Sequence, residues 1–124
     1  MKWNILFFET NRGEKPVEEF ISKQQLQARA KIAHLIDLLE IHGDVLHMPH
    51  SKRLANNLFE LRIRGRQEIR ILYCFRKRNI ILLHAFKKQT QQTPQKEVNI
   101  SLERYSPWHK HNIYVIFDYM KNWK

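Results

Sequence analysis

Asn57-Leu58-Phe59-Glu60-Leu61-Arg62-Ile63-Arg64 and, three residues later, Glu68-Ile69-Arg70-Ile71-Leu72-Tyr73-Cys74-Phe75 decide the fold. In the first run Phe59, Leu61 and Ile63 alternate with Glu60, Arg62 and Arg64. In the second, Ile69, Ile71, Tyr73 and Phe75 alternate with Glu68, Arg70, Leu72 and Cys74. Side chains of a strand point to opposite faces in turn, so a period of two reads as a strand with one apolar face. The next run, Asn79 to Phe86, is apolar on both faces, as a central strand covered from both sides would be. Gly65-Arg66-Gln67 and Arg76-Lys77-Arg78 are spacers of hairpin length, and the three strands are expected to form an antiparallel meander.

Working outward, Trp3 to Phe8 is short and aromatic and reads as another strand, followed by a turn at Asn11-Arg12-Gly13. Pro16 with Glu18 and Glu19 reads as a helix start: proline needs no N–H there, and carboxylates suit the positive helix end. Ala28, Ile32, Leu35, Ile36 and Leu39 mark one buried stripe on a second helix ending near Gly43. Asp44 to Leu54 has no period, contains Pro49 and reads as a loop carrying His47, His50, Lys52 and Arg53. Thr93-Pro94 reads as cap and first residue of a C-terminal helix. The expected order is β-α-α-β-β-β-α. The class is α+β, a small, mostly antiparallel sheet with a helix hairpin packed on one face.

The 22 Lys and Arg against 12 Asp and Glu leave a net charge of +10, and the excess is localised. Residues 1–50 carry net −1, residues 51–104 net +9 and residues 105–124 net +2. Such a concentration implies one surface that attracts a polyanion. Nucleic acid is favoured over an anionic membrane, which usually recruits amphipathic helices rather than strands. A hydrophobic fraction of 43% is too high for a disordered basic tail. No apolar run approaches the ~18 residues of a membrane span, and the N-terminus does not read as a secretory signal. Cys74, the only cysteine, excludes an internal disulfide and a thiolate metal cluster. A soluble, cytoplasmic protein is expected.

Strand parity sets Arg62 and Arg70 on the face away from the helix hairpin, close to one another in adjacent strands. Lys88, or Lys87, follows the third strand, and Lys52 can reach the same edge from the loop. Clustered cations repel unless an anion or a carboxylate joins them, which points to phosphate binding. Glu60 and Glu68 offer a plainer account, cross-strand pairs on a solvated sheet. Arg53, Arg64, Arg66, Lys87 and His50 are further candidates for contact with the nucleic acid. His84 reads as a satisfied core histidine, Tyr73 as packing and Cys74 as a small buried filler. His47-x-x-His50 and His109-x-His111 lack the partners of a metal site. With no Gly-rich phosphate loop, Gly-x-Ser-x-Gly or His-Glu-x-x-His, no cofactor and no metal are expected.

Lys52-Arg53-Leu54, Leu58-Phe59-Glu60-Leu61-Arg62, Ile69-Arg70-Ile71-Leu72-Tyr73, Leu83-His84-Ala85-Phe86-Lys87-Lys88 and Thr93-Pro94, in that order, resemble the phage-derived HigB-like branch of the RelE/ParE toxin superfamily. The likeness covers roughly residues 3–104. It implies a RelE-like fold and the toxin of a type II toxin–antitoxin pair: an endoribonuclease that cuts mRNA on the ribosome and is silenced by a helix-turn-helix, HigA-like antitoxin. Carried over, Arg62 and Arg70 match the family's active-site arginines. Lys88 or Lys87 matches its terminal basic pair, and Lys52 falls where RelE-like enzymes carry a lysine. A non-catalytic RNA- or ribosome-binding module and a ParE-like gyrase-targeting toxin are the alternatives. Residues 1–104 are expected to form the toxin domain. Residues 105–124 are an atypical extension, in which Ile113 to Phe117 is strand-like.

Overall fold

The computed structural model describes residues 2–110. Along the chain the elements are β1 (Asn4–Phe7), α1 (Pro16–Ser22), α2 (Leu26–His42), a 3-10 turn (Gly43–Val45), β2 (Ser51–Ala55), β3 (Leu58–Ile63), β4 (Glu68–Arg76), β5 (Asn79–Lys88) and α3 (Gln95–Lys110). The strands lie side by side in the order β1-β5-β4-β3-β2. β1 runs parallel to β5, and every other pairing is antiparallel. The α+β class, the mostly antiparallel sheet and the meander of β3, β4 and β5 are those expected.

One strand had no signature. β2 occupies the end of the segment read as a loop, so the order is β-α-α-β-β-β-β-α. It is an edge strand paired only with β3, with Lys52 and Arg53 exposed, and its register shifts between Arg53 and Ala55. A strand with one neighbour and a break in its pairing leaves no sustained alternation to read.

The sheet separates two cores. On one face Val17 and Ile21 of α1 and Ile32, Ile36 and Leu39 of α2 pack on Phe7, Leu61, Ile63, Ile69, Ile71, Tyr73, Ile80 and Leu82. On the other, Leu6, Leu58, Leu72, Cys74, Ile81, Leu83 and Phe86 meet Val98 and Tyr105 of α3. The central strand is therefore covered on both sides. Burial pushes the Cys74 thiol and the Tyr73 phenol each up to about 12, the phenol against an opposing hydrogen bond with Ser51. Asn57, at φ 54° in the β2–β3 turn, extends the ladder with its amide. It donates to the Phe75 carbonyl (2.8 Å), accepts from the Phe75 N–H (2.9 Å), and reaches Tyr105 Oη of α3 (3.1 Å).

A bulge in β5 reassigns the side chains at its end. Leu72 opposes His84, whereas its neighbour Tyr73 opposes Leu82, so one residue is extra on β5. Simple alternation would set His84 and Phe86 with Ile80 and Leu82 under the helix hairpin. The bulge turns both toward α3 and returns Ala85 to the hairpin face.

α3 runs without a break across residue 104. The strand-like run expected at Ile113–Phe117 lies outside the described residues. No helix of the described residues is long and apolar enough to cross a membrane.

Gly43 closes α2 at φ 53°, in the region that favours glycine. A Cβ there would run into the Trp3 indole, and the Trp3 backbone N–H donates to the Glu40 carbonyl (2.9 Å), tying the chain start to this helix end. Gly43→Ala is expected to cost at least ~1–3 kcal/mol from the backbone conformation alone, before the clash with the ring is added. A urea titration of the two proteins measures it; an unchanged midpoint would contradict the close approach.

Candidate functional site

Arg62 and Arg70 sit directly opposite one another across β3 and β4. Two facing guanidiniums repel, and the chain answers with a carboxylate two positions before Arg62. Glu60 Oε1 lies 3.6 Å from Arg70 Nε and 3.9 Å from Arg62 Nε. Its Oε2 accepts from the Thr93 hydroxyl. Glu68 serves the far side of Arg70, accepting from Nη2 at 2.9 Å, and Arg64 lies 3.8 Å from the same oxygen. Arg70 Nη1 donates to the Ile69 carbonyl (3.1 Å). Burial disfavours the ionised form of Glu68, but the hydrogen bond and charge of Arg70, with Arg64 and the Gly65 N–H, outweigh it and hold the carboxyl below its ordinary range.

The plainer account of these charges is thus partly realised: arginine–glutamate pairs do form. They are not on a solvated sheet, since Glu60 is 2% and Arg70 1% exposed. Arg62 and Arg70 both keep a buried Nε that makes no hydrogen bond and faces Glu60 at ion-pair distance only. Arg62 is the more open of the two, with Nη1 3.1 Å from Met48 Sδ.

A cleft of ≈ 450 Å³ opens in front of this cluster, between β2, the end of β5 and α3. Lys52, Arg62 and Lys88 line it, with Glu60, Gln92 and Thr93. Register explains the convergence: Lys52 pairs with Glu60 at the edge, and Lys88 pairs with Glu68. Lys88 Nζ donates to the Gln91 carbonyl (2.5 Å). Its pKa is lowered by desolvation and then by Arg70, with Arg62 adding to the effect and Glu60 opposing it. Of the four expected phosphate-binding side chains, three line the cleft, and Arg70 stands behind Glu60 and Glu68 instead.

The other candidates separate. Lys87 faces the opposite side of the sheet and shares a second hollow with Arg64 and Arg66. His50 lines a third, mostly apolar hollow that also touches Arg62. Arg53 lines none of the three and donates to the Ala55 carbonyl (3.2 Å) and to Asn56 Oδ1 (3.4 Å). Among the described residues no three His, Cys, Asp or Glu are grouped to hold a metal ion.

His84 is a partnered histidine, as its place on a central strand suggested. Its Nε2 is 2.6 Å from Glu97 Oε1, and Arg104 Nη1 donates toward Nδ1 (3.3 Å) and to the Leu83 carbonyl (2.8 Å). An accepting Nδ1 fixes the neutral tautomer with the proton on Nε2, shared with Glu97. Desolvation lowers its pKa, opposed by the Glu97 hydrogen bond and reinforced by Arg104 and Lys96. No sequence motif marks Glu97 or Arg104, and none ties the Thr93 hydroxyl to Glu60. All three reach their partners only because α3 and its leading loop cross the sheet. Thr93 was expected to cap α3; its hydroxyl bonds Glu60 instead.

Glu60→Gln keeps a partner for Thr93 but leaves two guanidiniums facing each other. Breaking a buried pair by removing one partner costs ~3–5 kcal/mol, and a loss of that order in denaturant unfolding is expected. A change below ~0.5 kcal/mol would show the carboxylate to be dispensable. The lowered pKa of His84 means that the unfolded chain binds more protons below about pH 6.5, so stability should fall as pH drops through that value toward the folded pKa. In unfolding curves across this window, His84→Gln should flatten the dependence; an unaltered slope would assign it to other groups.

No curated protein matches the sequence. The family profile described as "Phage derived protein Gp49-like (DUF891)" matches residues 19–106, from α1 into α3. That span, well over half of the chain and holding the whole arginine–glutamate cluster, places the protein in the phage-derived Gp49-like family.

Proposed function

We propose that the protein is the toxin of a type II toxin–antitoxin system with a RelE-like fold, a metal-independent endoribonuclease that cuts mRNA on the ribosome and so arrests translation. One observation carries the reading: Arg62, Lys52 and Lys88 converge on an open cleft with Arg62 braced from behind by a buried carboxylate. RNA supplies its own nucleophile. The 2′-oxygen attacks phosphorus, the bond to the 5′-oxygen breaks, and a 2′,3′-cyclic phosphate and a 5′-hydroxyl remain. Lys52 and Lys88 complete the grip on the phosphate, and water takes up the proton lost by the 2′-hydroxyl and supplies the one gained by the 5′-oxygen. The Arg62 fork holds the phosphoryl oxygens as charge develops on them. Arg70, with its Nη atoms engaged by Glu68 and Ile69, acts as a positioning residue that holds Glu60 and through it Arg62.

Such a site has no strong base, and slow cleavage of free RNA, with the ribosome aligning the 2′-oxygen, follows from it. A HigA-like antitoxin silencing this surface would present carboxylates to the cleft or cover it. The burial of Arg70 also suits a module that grips RNA without cutting it, so the test separates the two.

Induced expression in growing bacteria of wild type and Arg62→Ala, with mRNA 5′ ends mapped after arrest, is the decisive comparison. Codon-phased ends are expected for the wild type and a ~100- to 1,000-fold loss for the variant. Purified protein should cleave free RNA slowly to cyclic-phosphate ends with EDTA present. A strict magnesium requirement would sink the mechanism. Retained RNA binding by a wild type that never cuts would favour the non-catalytic module. Arrest without new ends, unchanged in the variant, would direct attention to a gyrase-type target.

A further inference from the structure

The hollow on the opposite side of the sheet is lined by cations. Lys23 and Lys31 of the helix hairpin, Arg64 and Arg66 around the β3–β4 turn, and Lys87 at the end of β5 line a volume of ≈ 380 Å³ with no carboxylate in its wall. Of these five, only Arg64 has a counter-charge among the described residues, Glu68 at 3.8 Å. Lys31 lies over the turn so closely that a Cβ on Gly65 would come within 2.8 Å of its ammonium. Gln24, Gln25, Gln27 and Gln67 supply amide donors and acceptors, and Ile63 and Ile69 form an apolar floor. Cations for a phosphate, amides for base edges and an apolar surface for a ring are the chemistry of a nucleotide subsite.

This hollow is not isolated from the cleft. A third hollow, ≈ 470 Å³ and mostly apolar, lies between them. It shares Arg62 with the cleft, and it shares Lys31, Ile63 and Arg64 with the basic hollow. Leu35, Pro49, His34 and His50 line this saddle. Charge, apolar surface with two imidazoles, then charge again is the alternation of a single-stranded nucleic acid, whose phosphates and rings take turns along the chain.

We infer that single-stranded RNA held at the Arg62 cleft continues over the His34–His50 saddle into the Lys23–Lys31–Arg66–Lys87 hollow, which binds a second stretch of its backbone. The inference rests on the reading of the cleft as an RNA site, but not on that site's cutting RNA. It gives Lys87, Arg66 and His50 distinct places on one path, and adds Lys23, Lys31 and His34, which no sequence motif marks.

The test uses 2′-O-methyl oligoribonucleotides, which lack the nucleophile, in a short form that fills the cleft alone and a longer form able to span both hollows. Anisotropy titrations at several salt concentrations compare the full chain with Lys31→Gln/Arg66→Gln/Lys87→Gln. A second triple variant, Lys2→Gln/Arg12→Gln/Lys77→Gln, removes the same charge elsewhere, and thermal melting verifies that both fold. Wild type should bind the longer form more tightly and with steeper salt dependence. The hollow variant should lose about 2 from that log–log slope, since each phosphate contact on a single strand contributes ~0.7, and bind the short form like wild type. The charge control should keep the wild-type slope for the longer form.

Equal binding of the longer form by wild type and the hollow variant overturns the path. An equal loss in the charge control does the same, reducing the effect to net charge. If the hollow variant keeps RNA binding but loses affinity for polyglutamate, the path fails and the hollow belongs to an acidic polypeptide. Length-dependent binding by a wild type that leaves mRNA uncut on the ribosome upholds the path and fails the endoribonuclease reading. Cleavage without length dependence does the reverse.

Discussion

A single buried carboxylate, Glu60, holds two guanidiniums on adjacent strands, and the organisation of the cleft depends on it. Arg62 and Arg70 are direct cross-strand partners, an arrangement that on its own is repulsive. Glu60 Oε1 stands within 4 Å of both Nε atoms, while Oε2 is taken by Thr93. One side chain therefore neutralises the strand pair, aims Arg62 toward the cleft and anchors the loop leading into α3. Glu68 completes the neutralisation on the far side of Arg70. Two carboxylates against Arg62, Arg70, Lys52 and Lys88 leave the neighbourhood cationic, which suits a site built to receive an anion.

The second organising feature is the pair formed by the β5 bulge and α3. The extra residue at Leu83–His84 brings His84 and Phe86 to the face that α3 covers, and Glu97 and Arg104 then clasp the imidazole. Val98 and Tyr105 seal the core above Leu72, Cys74 and Leu83. The same helix thus forms one wall of the cleft and the lid of a hydrophobic core. Its position cannot change without disturbing both. β1 lies outside the family-matched span, yet Phe7 is wholly buried and the strand extends β5 in parallel, so residues before that span are part of the folded unit.

Much of the fold was legible because its physics is local. The alternation of Leu58–Ile63 and Glu68–Phe75, the doubly apolar Asn79–Phe86 and the Ala28–Leu39 stripe each report burial of one face or two, residue by residue. The side of the sheet on which Arg62 and Arg70 lie followed from the same parity. β2 was not legible, being an edge strand with exposed lysine and arginine and an interrupted register. Nor was the bulge, because a single inserted residue leaves a run such as Ile80-Ile81-Leu82-Leu83 apolar in either phase.

The amino-acid sequence by itself determined β1, β3, β4 and β5, the three helices, the class of fold and the concentration of positive charge in residues 51–104, since these depend on spacing and composition. Only the tertiary structure decided which cations share a hollow. It drew Lys52 and Lys88 in front of Arg62, withdrew Arg70 behind two carboxylates, sent Lys87 to the far side with Lys31 and Arg66, and joined Glu97 and Arg104 to His84. Those outcomes rest on register, on one bulge and on where two helices lie across the sheet. They are long-range geometric facts, set by packing between segments far apart in the chain, and no short stretch of residues contains them.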